Sequence, residues 1–157
     1  NIMARRKVVK RRYPSPDPKF NSLLVSLLIL RLLKKGKKRL ANSIVNETFA
    51  IIKQKTGKEP LFVFERAVKN VTPDVEVKAK RVGGSIYQVP LDVSCYRGTT
   101  LALKWIIKAS KDRSGRTLSN KLATEIVEAY NGIGNAIRKR TETHRMAEAN
   151  KAFSHFK

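Results

Sequence analysis

The sequence predicts a mainly α-helical fold: a bundle of about six helices, one protruding β-hairpin and a disordered basic tail at the N-terminus. Three observations predict this architecture. Apolar residues recur at three-to-four spacing over most of the chain, which is typical of helices with one buried face. One central stretch alternates with a period of two around Gly83-Gly84, which indicates two strands joined by a tight turn. The first 19 residues carry cations and alternating prolines without any apolar period.

Start and stop signals give the helices their predicted bounds. The first helix runs from about Phe20 to Lys35, and apolar residues almost encircle it, so we expect it at the centre of the core. Gly36 ends this helix, and Gly57 caps the next one. The second helix is predicted to end at about Lys55, and the third to run from Pro60 to Thr72-Pro73. The fourth, fifth and sixth are predicted over about 99–110, 117–130 and 135–151. The last of these lacks a continuous apolar stripe, so we expect it at the periphery. In the fourth predicted helix, over about 99–110, Trp105 is expected in the core.

The change of period marks the hairpin, which is predicted over about Val75 to Val93. Alternating apolar residues begin at Val75 and resume at Tyr87, on either side of Gly83-Gly84. An isolated two-stranded ribbon is marginally stable in water. We therefore expect the hairpin to lean on the helices or on a ligand.

Residues 1–19 form the predicted tail, and residues 20–157 form one predicted domain with the hairpin as its arm. In the tail, Pro14, Pro16 and Pro18 disfavour helix. Its basic residues oppose only Asp17. Such a segment does not bury enough apolar surface to order itself, so we expect it to be disordered until an anionic partner binds. Met3 has the position of a natural start.

The charge balance limits the classes of partner. The chain has 34 Lys and Arg against 12 Asp and Glu, a formal net charge of +22. Solubility needs a net charge of only about 2–8 in a small domain, so a merely soluble basic protein is the weaker reading. Nucleic acid and an acidic membrane surface remain as partners. The longest apolar stretch, Leu23 to Leu33, is shorter than the roughly 18 residues of a membrane span, and no small-residue cleavage pattern indicates a signal peptide.

The sequence offers no catalytic or metal-binding constellation. Cys95 is the only cysteine, so it forms no internal disulfide and lacks a partner for nucleophilic chemistry. His144 and His155 lie too far apart in sequence for a paired zinc site. Gly83-Gly84 lacks the Gly-Lys-Ser/Thr ending of a phosphate loop. We expect Glu125 and Glu128 to face solvent or to neutralise neighbouring lysines. These features predict no enzyme, no metal and no cofactor.

Basic residues form clusters on five separate elements, and these residues, with two glycines and one tyrosine of the hairpin, are the predicted RNA-binding residues. The clusters are Arg5, Arg6, Lys7, Lys10, Arg11 and Arg12 in the tail; Lys34, Lys35, Lys37, Lys38 and Arg39 at the first helix break; Lys78, Lys80, Arg81, Gly83, Gly84 and Tyr87 in the hairpin; Lys104, Lys108, Lys111, Arg113, Arg116 and Lys121 along the fourth helix and beyond; and Arg138, Lys139, Arg140 and Arg145 in the last helix.

Clusters on several elements favour a folded RNA, which presents phosphates on several sides, over a single recognition helix that concentrates its charge. For any one cluster, a solvated face is an equally good reading. Tyr87 either stacks on a base or packs the hairpin against the bundle. Gly83 and Gly84 either let the tip pass close to RNA or simply make a tight turn. Two other functions stay open at this point: an architectural DNA-binding protein and an RNA-modifying enzyme.

Five motifs in order carry a family resemblance: Asp17-Pro18-Lys19-Phe20, Gly36-Lys37-Lys38, the stretch 71–77 (VTPDVEV), the stretch 80–90 (KRVGGSIYQVP) and the stretch 143–153 (THRMAEANKAF). Over about residues 17–157 the chain resembles ribosomal protein seven of the small subunit, in its bacterial or plastid form. Leu30 stands where that family usually has an asparagine, and Cys95-Tyr96 after the hairpin is unusual.

The resemblance implies a structural, primary binder of small-subunit ribosomal RNA that binds the 3′ major domain and nucleates assembly of the head. It implies a hairpin arm near the messenger RNA path and the exit-site transfer RNA, and a last helix near the platform protein numbered eleven. Neighbouring head and platform proteins are the implied protein partners, with no membrane and no homo-oligomer. The ending of the chain favours ribosomes of the plastid (chloroplast) stroma; the alternative is the bacterial cytoplasm.

Overall fold

A computed structural model describes residues 13–156, of which Phe156 by its backbone alone. The described part is mainly helical, with one antiparallel hairpin, as the sequence predicts. The predicted basic tail lies mostly outside the described residues, and so do its cations Arg5, Arg6, Lys7, Lys10, Arg11 and Arg12. The elements are α1 (Leu23–Leu32), α2 (Lys38–Thr56), α3 (Pro60–Val71), β1 (Val75–Val82), β2 (Ser85–Asp92), α4 (Cys95–Asp112), α5 (Leu118–Tyr130), α6 (Asn135–Ala149) and a 3₁₀ helix (Lys151–Phe156).

The core is centred on α5, which packs against α2, α3 and α4. Leu122 and Ile126 of α5 are fully buried, together with Phe64 of α3 and Ile106 of α4. Each such side chain contributes about 1.5–3 kcal/mol when it leaves water. Phe49 of α2 joins this cluster, with its ring centroid 5.6 Å from that of Phe64. The face of α5 is therefore the surface on which α2, α3 and α4 are assembled.

The prediction that α1 occupies the centre of the core is wrong. This helix packs against α2 and α4, burying Val25 and Leu28, while Leu23 and Leu30 stay 39% and 46% exposed. A sequence that is apolar all round gives no information on which side the neighbours lie. Leu30, the departure from the resembled family, is on this exposed side.

Both ends of α1 and the end of α6 differ from the prediction. The α1 helix begins only at Leu23, because the Asp17 carboxylate accepts the backbone N–H groups of Lys19 and Phe20 and closes a separate turn. It ends at Leu32, before a turn with Lys35 at φ 52°. The α6 helix ends at Ala149 and is continued by the 3₁₀ helix.

The α4 helix begins at Cys95 rather than at about Thr99. Glycine disfavours helix interiors, and Gly98 lies just before the predicted start. In the structure Gly98 is buried inside α4, where a Cβ would lie 2.8 Å from Cγ2 of Thr72. The missing side chain therefore lets the first turn of α4 approach the end of α3.

The hairpin is present as predicted, with Val75 paired with Asp92 and Val82 paired with Ser85. Gly83 and Gly84 have φ values of 58° and 89°, as a two-residue hairpin turn with two left-handed positions requires. At the base, Val89 is buried and both strands pack against α6. The hairpin thus leans on the helices, while Gly83 and Gly84 at its tip are exposed.

Candidate nucleic-acid interface

A groove between α4 and α6 collects basic residues that are distant in sequence. Lys104 and Lys108 lie one turn apart on α4, and Lys139 lies on α6; all three are exposed. The groove, which we call the α4–α6 groove, has a volume of about 350 Å³, and Trp105 and Asn135 line it as well. Asp112 is the acidic residue on its lining. Members of two predicted clusters, one on each helix, therefore line a single cationic groove.

Trp105 has two environments at once. Its side chain is partly buried and packs against the core cluster, as predicted, and it also lines the α4–α6 groove. The indole thus separates the core from the lysines of the groove. Among the other residues of the predicted stripe, Lys111 and Arg116 are exposed, and Lys121 is half-buried with its aliphatic stem over Gly115.

Arg113 does not belong to the open stripe, which corrects the prediction. Its Nε donates to Oε2 of Glu125 at 2.6 Å, and its Nη1 donates to Oε1 of Glu128 at 3.0 Å. Its Nη2 forms a further ion pair with Glu128. These contacts use the guanidinium that a phosphate would need, and the Arg113 side chain is only 20% exposed. We therefore leave Arg113 out of the proposed interface.

Glu125 and Glu128 correct a second prediction, because both carboxylates neutralise an arginine rather than lysines. Glu125 is fully buried, and its Oε1 also accepts the backbone N–H of Ala136 at 2.9 Å. The pKa of Arg113 is raised, chiefly by its hydrogen bond to Glu128. Burial opposes this shift, and the hydrogen bond and charge of Glu125 add to it. A sequence signal existed: Glu125 lies on the same face of α5 as Leu122 and Ala129. We call Arg113, Glu125 and Glu128 the Arg113 cluster.

The α1–α2 turn presents a second basic surface. Residues 34–39 are all exposed in the structure. The turn is compact: the N–H of Lys37 donates to the carbonyl of Lys34 at 3.1 Å, and that of Lys38 to the carbonyl of Gly36 at 2.8 Å. Lys35 and Gly36 both have positive φ values, 52° and 73°. This tight geometry directs several cations outward from a short segment: Lys34, Lys35, Lys37, Lys38 and Arg39.

The hairpin carries its predicted cations on exposed positions, Lys78, Lys80 and Arg81. Tyr87 is half-buried, and its ring centroid lies 5.3 Å from that of Phe153 in the 3₁₀ helix. Of the two predicted roles for Tyr87, the structure therefore shows packing of the hairpin. Ile86, next to the turn, is 71% exposed.

Arg138, Lys139 and Arg145 of α6 are exposed, whereas Arg140 is half-buried. Its Nη2 lies 3.8 Å from the carboxylate of Asp74, before the hairpin. Lys139 lies 3.3 Å from Glu142, but both side chains are about half exposed, and such pairs contribute little. Lys139 therefore remains available to an anion, while the Arg140 guanidinium faces Asp74 at the base of the hairpin.

His144 has a structural partner. Its Nε2 accepts the backbone N–H of Asp74 at 3.1 Å, and this hydrogen bond joins α6 to the base of the hairpin. Within residues 13–156, no group of three or more His, Cys, Asp and Glu side chains is placed to hold a metal ion. In the same region, no helix combines the length and apolarity that crossing a membrane requires.

The fold and its exposed cations define a class: a small, basic, mainly helical protein that carries positive charge on several separate elements. The sequence profile described as "Ribosomal protein S7p/S5e" matches residues 4–151. The chain is 56% identical over 155 residues to "Small ribosomal subunit protein uS7" of Gloeothece citriformis and 57% identical to the protein of that name from Synechocystis sp., with 99% of each chain covered. The chain belongs to the ribosomal protein S7p/S5e family. It is a structural ribosomal component, not an enzyme.

Proposed function

We propose that the protein binds small-subunit ribosomal RNA and holds its 3′ major domain in a folded form, as a primary binder that nucleates assembly of the head. The observation that carries this proposal is the α4–α6 groove, where Lys104, Lys108 and Lys139 from two helices surround one concavity. The relatives named as small-subunit ribosomal proteins support the same assignment.

Phosphate neutralisation supplies the affinity. Each phosphate contacted by Lys or Arg releases condensed cations, so the logarithm of affinity falls with the logarithm of salt by roughly 0.7 to 0.9 per contact. A groove with cations on both walls fits a backbone that enters between two helices. The α1–α2 turn, with Lys34, Lys35, Lys37, Lys38 and Arg39, supplies a second set of contacts. Lys111, in the last turn of α4, continues the first set, and Arg116 and Lys121 extend it beyond α4.

The hairpin is proposed to reach away from this contact, toward the messenger RNA path and the exit-site transfer RNA. Its base is fixed to α6, and its tip exposes Gly83, Gly84 and Ile86. Lys78, Lys80 and Arg81 give the arm a positive charge that suits a nucleic-acid neighbour. The exposed side of α6, with Arg138 and Arg145, is proposed to face RNA and neighbouring head and platform proteins.

We place these ribosomes in the plastid stroma, with the bacterial cytoplasm as the alternative. The resemblance of the segment 153–157 (FSHFK) supports the first, and the cyanobacterial relatives are compatible with both. Sedimentation of fractionated cells separates them: co-migration with small subunits from purified plastids supports the proposal, and co-migration from bacterial lysate supports the alternative.

A competition assay tests the RNA proposal. The full chain is bound to a labelled three-way-junction fragment of the 3′ major domain, then challenged with unlabelled junction RNA or duplex DNA of equal length at one salt concentration. We expect the junction RNA to compete at much lower concentration than the DNA. Equal competition would instead support an architectural protein that responds to phosphate density alone.

A further inference from the structure

Glu125 lies where three helices meet. It belongs to α5, it accepts from Arg113 just after the end of α4, and it accepts from the N–H of Ala136 in the first turn of α6. No part of its side chain is exposed. A buried carboxylate needs such partners, because an unpaired charge in the interior is strongly unfavourable. The position of Glu125 therefore constrains α4 and α6 with respect to each other.

The start of α6 is fitted closely around this carboxylate. Gly134, before the helix, has a φ of 103°, and a Cβ on it would lie 3.2 Å from Oε1 of Glu125. Ala136 is fully buried. Beyond this turn, α6 buries only Thr143 and Ala147 among its described side chains. Since apolar packing along α6 is sparse, polar contacts at its ends determine much of its placement.

The constrained turn carries the far wall of the α4–α6 groove. Asn135 precedes Ala136, and Lys139 follows Asn135 by one helical turn, so both side chains share one face of α6. Both line the groove opposite Lys104 and Lys108. A rotation or shift of the first turn of α6 would carry Lys139 away from the other two lysines.

The cluster also acts on charge. Three ammonium groups around one groove repel one another when no anion is bound. The Arg113 cluster joins one guanidinium to two carboxylates, a formal sum of −1. It joins the end of α4 to the first turn of α6. Asp112 on the lining of the groove adds one further negative charge near the lysines. A groove already formed before binding loses less free energy to ordering when the anion arrives.

We propose that Glu125 and Arg113 are positioning residues for a backbone phosphate of RNA in the α4–α6 groove. They hold the first turn of α6 against the end of α4, so that Lys139 faces Lys104 and Lys108. Neither residue contacts the phosphate. This inference rests on the proposed RNA-binding function and deepens it.

A double-mutant cycle on RNA affinity tests the proposal. The variants are E125Q, K139A and their combination, each measured against the junction RNA over a range of salt concentrations. In E125Q, the amide presents an N–H₂ group either to the Nε–H of Arg113 or to the N–H of Ala136, so one of the two hydrogen bonds is lost in either orientation. We expect E125Q and K139A each to weaken binding by about three- to tenfold and to lower the salt slope by about one contact, roughly 0.7–0.9.

The combination discriminates positioning from general destabilisation. If Glu125 acts through Lys139, E125Q in the K139A background weakens binding by less than about twofold, because the contact is already lost. The matched control is K37A in the α1–α2 turn, whose effect should multiply with that of E125Q. E128Q, at a carboxylate that is 30% exposed, repeats the test if E125Q does not fold.

The outcomes are distinct. Effects of E125Q and K139A that multiply fully, or an E125Q variant with wild-type affinity and slope, would overturn the positioning role alone. A wild-type chain that prefers junction RNA no more than duplex DNA would overturn the proposed function, and the inference with it. The only tryptophan, Trp105, adds a local readout: its emission should respond to RNA in wild type and respond less in E125Q.

Discussion

Arg97 and Glu76 form a two-point contact between the first turn of α4 and the first strand of the hairpin. Nε of Arg97 donates to Oε1 of Glu76 at 2.6 Å, and Nη2 donates to Oε2 at 2.7 Å. This bond to Glu76 raises the pKa of Arg97. On the other side, the N–H of Asp74 donates to His144 of α6. The hairpin is therefore held at its base by α4 and α6, and its direction follows from both helices.

Removing this contact should loosen the arm without unfolding the bundle. In R97A we expect faster amide hydrogen exchange in β1 and β2, with exchange in α2, α3 and α5 unchanged, because the ion pair lies outside the core. Exchange monitored by mass spectrometry measures this. R97K keeps the charge but not the paired geometry, so it should fall between wild type and R97A. Unchanged exchange in the strands would show that packing alone fixes the arm.

Features that depend on residues adjacent in the sequence could be predicted from the sequence alone. The hairpin was placed well, since alternation and two turn glycines are local signals. Pro60 correctly marked the start of α3. The candidate site could be predicted from the sequence only in part, because helical spacing groups Lys104 with Lys108 but reaches no further. Lys139 could not be joined to them, because the groove exists only through the packing of α6 on α4.

The wrong predictions share a cause, namely that a residue's type was considered without its neighbours in space. Glu125 is predicted to face solvent or to neutralise neighbouring lysines, although its position on α5 coincides with the buried face. Arg113 was counted with the lysines because it continues their run in sequence. The α1 helix is predicted at the centre because apolar residues almost encircle it. In each case the deciding partner is distant in sequence, such as Ala136 for Glu125.

Substitution of Arg113 should destabilise the fold substantially. In R113A the buried carboxylate of Glu125 loses its counter-charge, which we expect to lower the free energy of unfolding by about 2–3 kcal/mol. Urea unfolding followed by circular dichroism measures the change. K111A, two residues earlier and exposed, is the control and should stay within about 0.5 kcal/mol of wild type. Equal stability of R113A and wild type would show that water solvates Glu125 adequately.

The pH dependence of the Arg113 contribution has a definite sign. The folded state raises the pKa of Arg113, chiefly through its hydrogen bond to Glu128. A group whose pKa is higher in the folded state adds its full contribution to the free energy of unfolding at pH values below its unfolded-state pKa. This contribution is lost as the pH rises through the folded-state pKa. Arginine titrates only in strongly alkaline solution. The stability difference between wild type and R113A should therefore stay constant as pH is raised from neutral to moderately alkaline values.

Gly98 tests how closely α4 approaches the end of α3. An alanine Cβ would lie 2.8 Å from Cγ2 of Thr72 and 3.3 Å from the carbonyl oxygen of Pro73. We expect G98A to lower stability by about 1–2 kcal/mol, because overpacking outweighs the better helix propensity of alanine. The double variant G98A/T72S removes Cγ2 while a serine hydroxyl can still donate to the Val68 carbonyl, so it should recover part of the loss. Thermal unfolding of the three chains measures this, and no recovery would place the strain at Pro73.

Charge reversal at the α4–α6 groove separates local contact from the overall field. The variant K104E/K108E/K139E changes three exposed lysines and lowers the formal net charge from +22 to +16, since each reversal removes two units. The control K53E/R66E/K69E makes the same change at exposed positions outside the proposed interface. Long-range attraction should fall equally in both, because it depends on total charge. We expect the groove variant to lose junction binding at moderate salt, with unchanged circular dichroism, and the control to lose only several-fold in affinity. Equal losses would mean that the groove is one part of a diffuse positive surface and that the RNA is not held between α4 and α6.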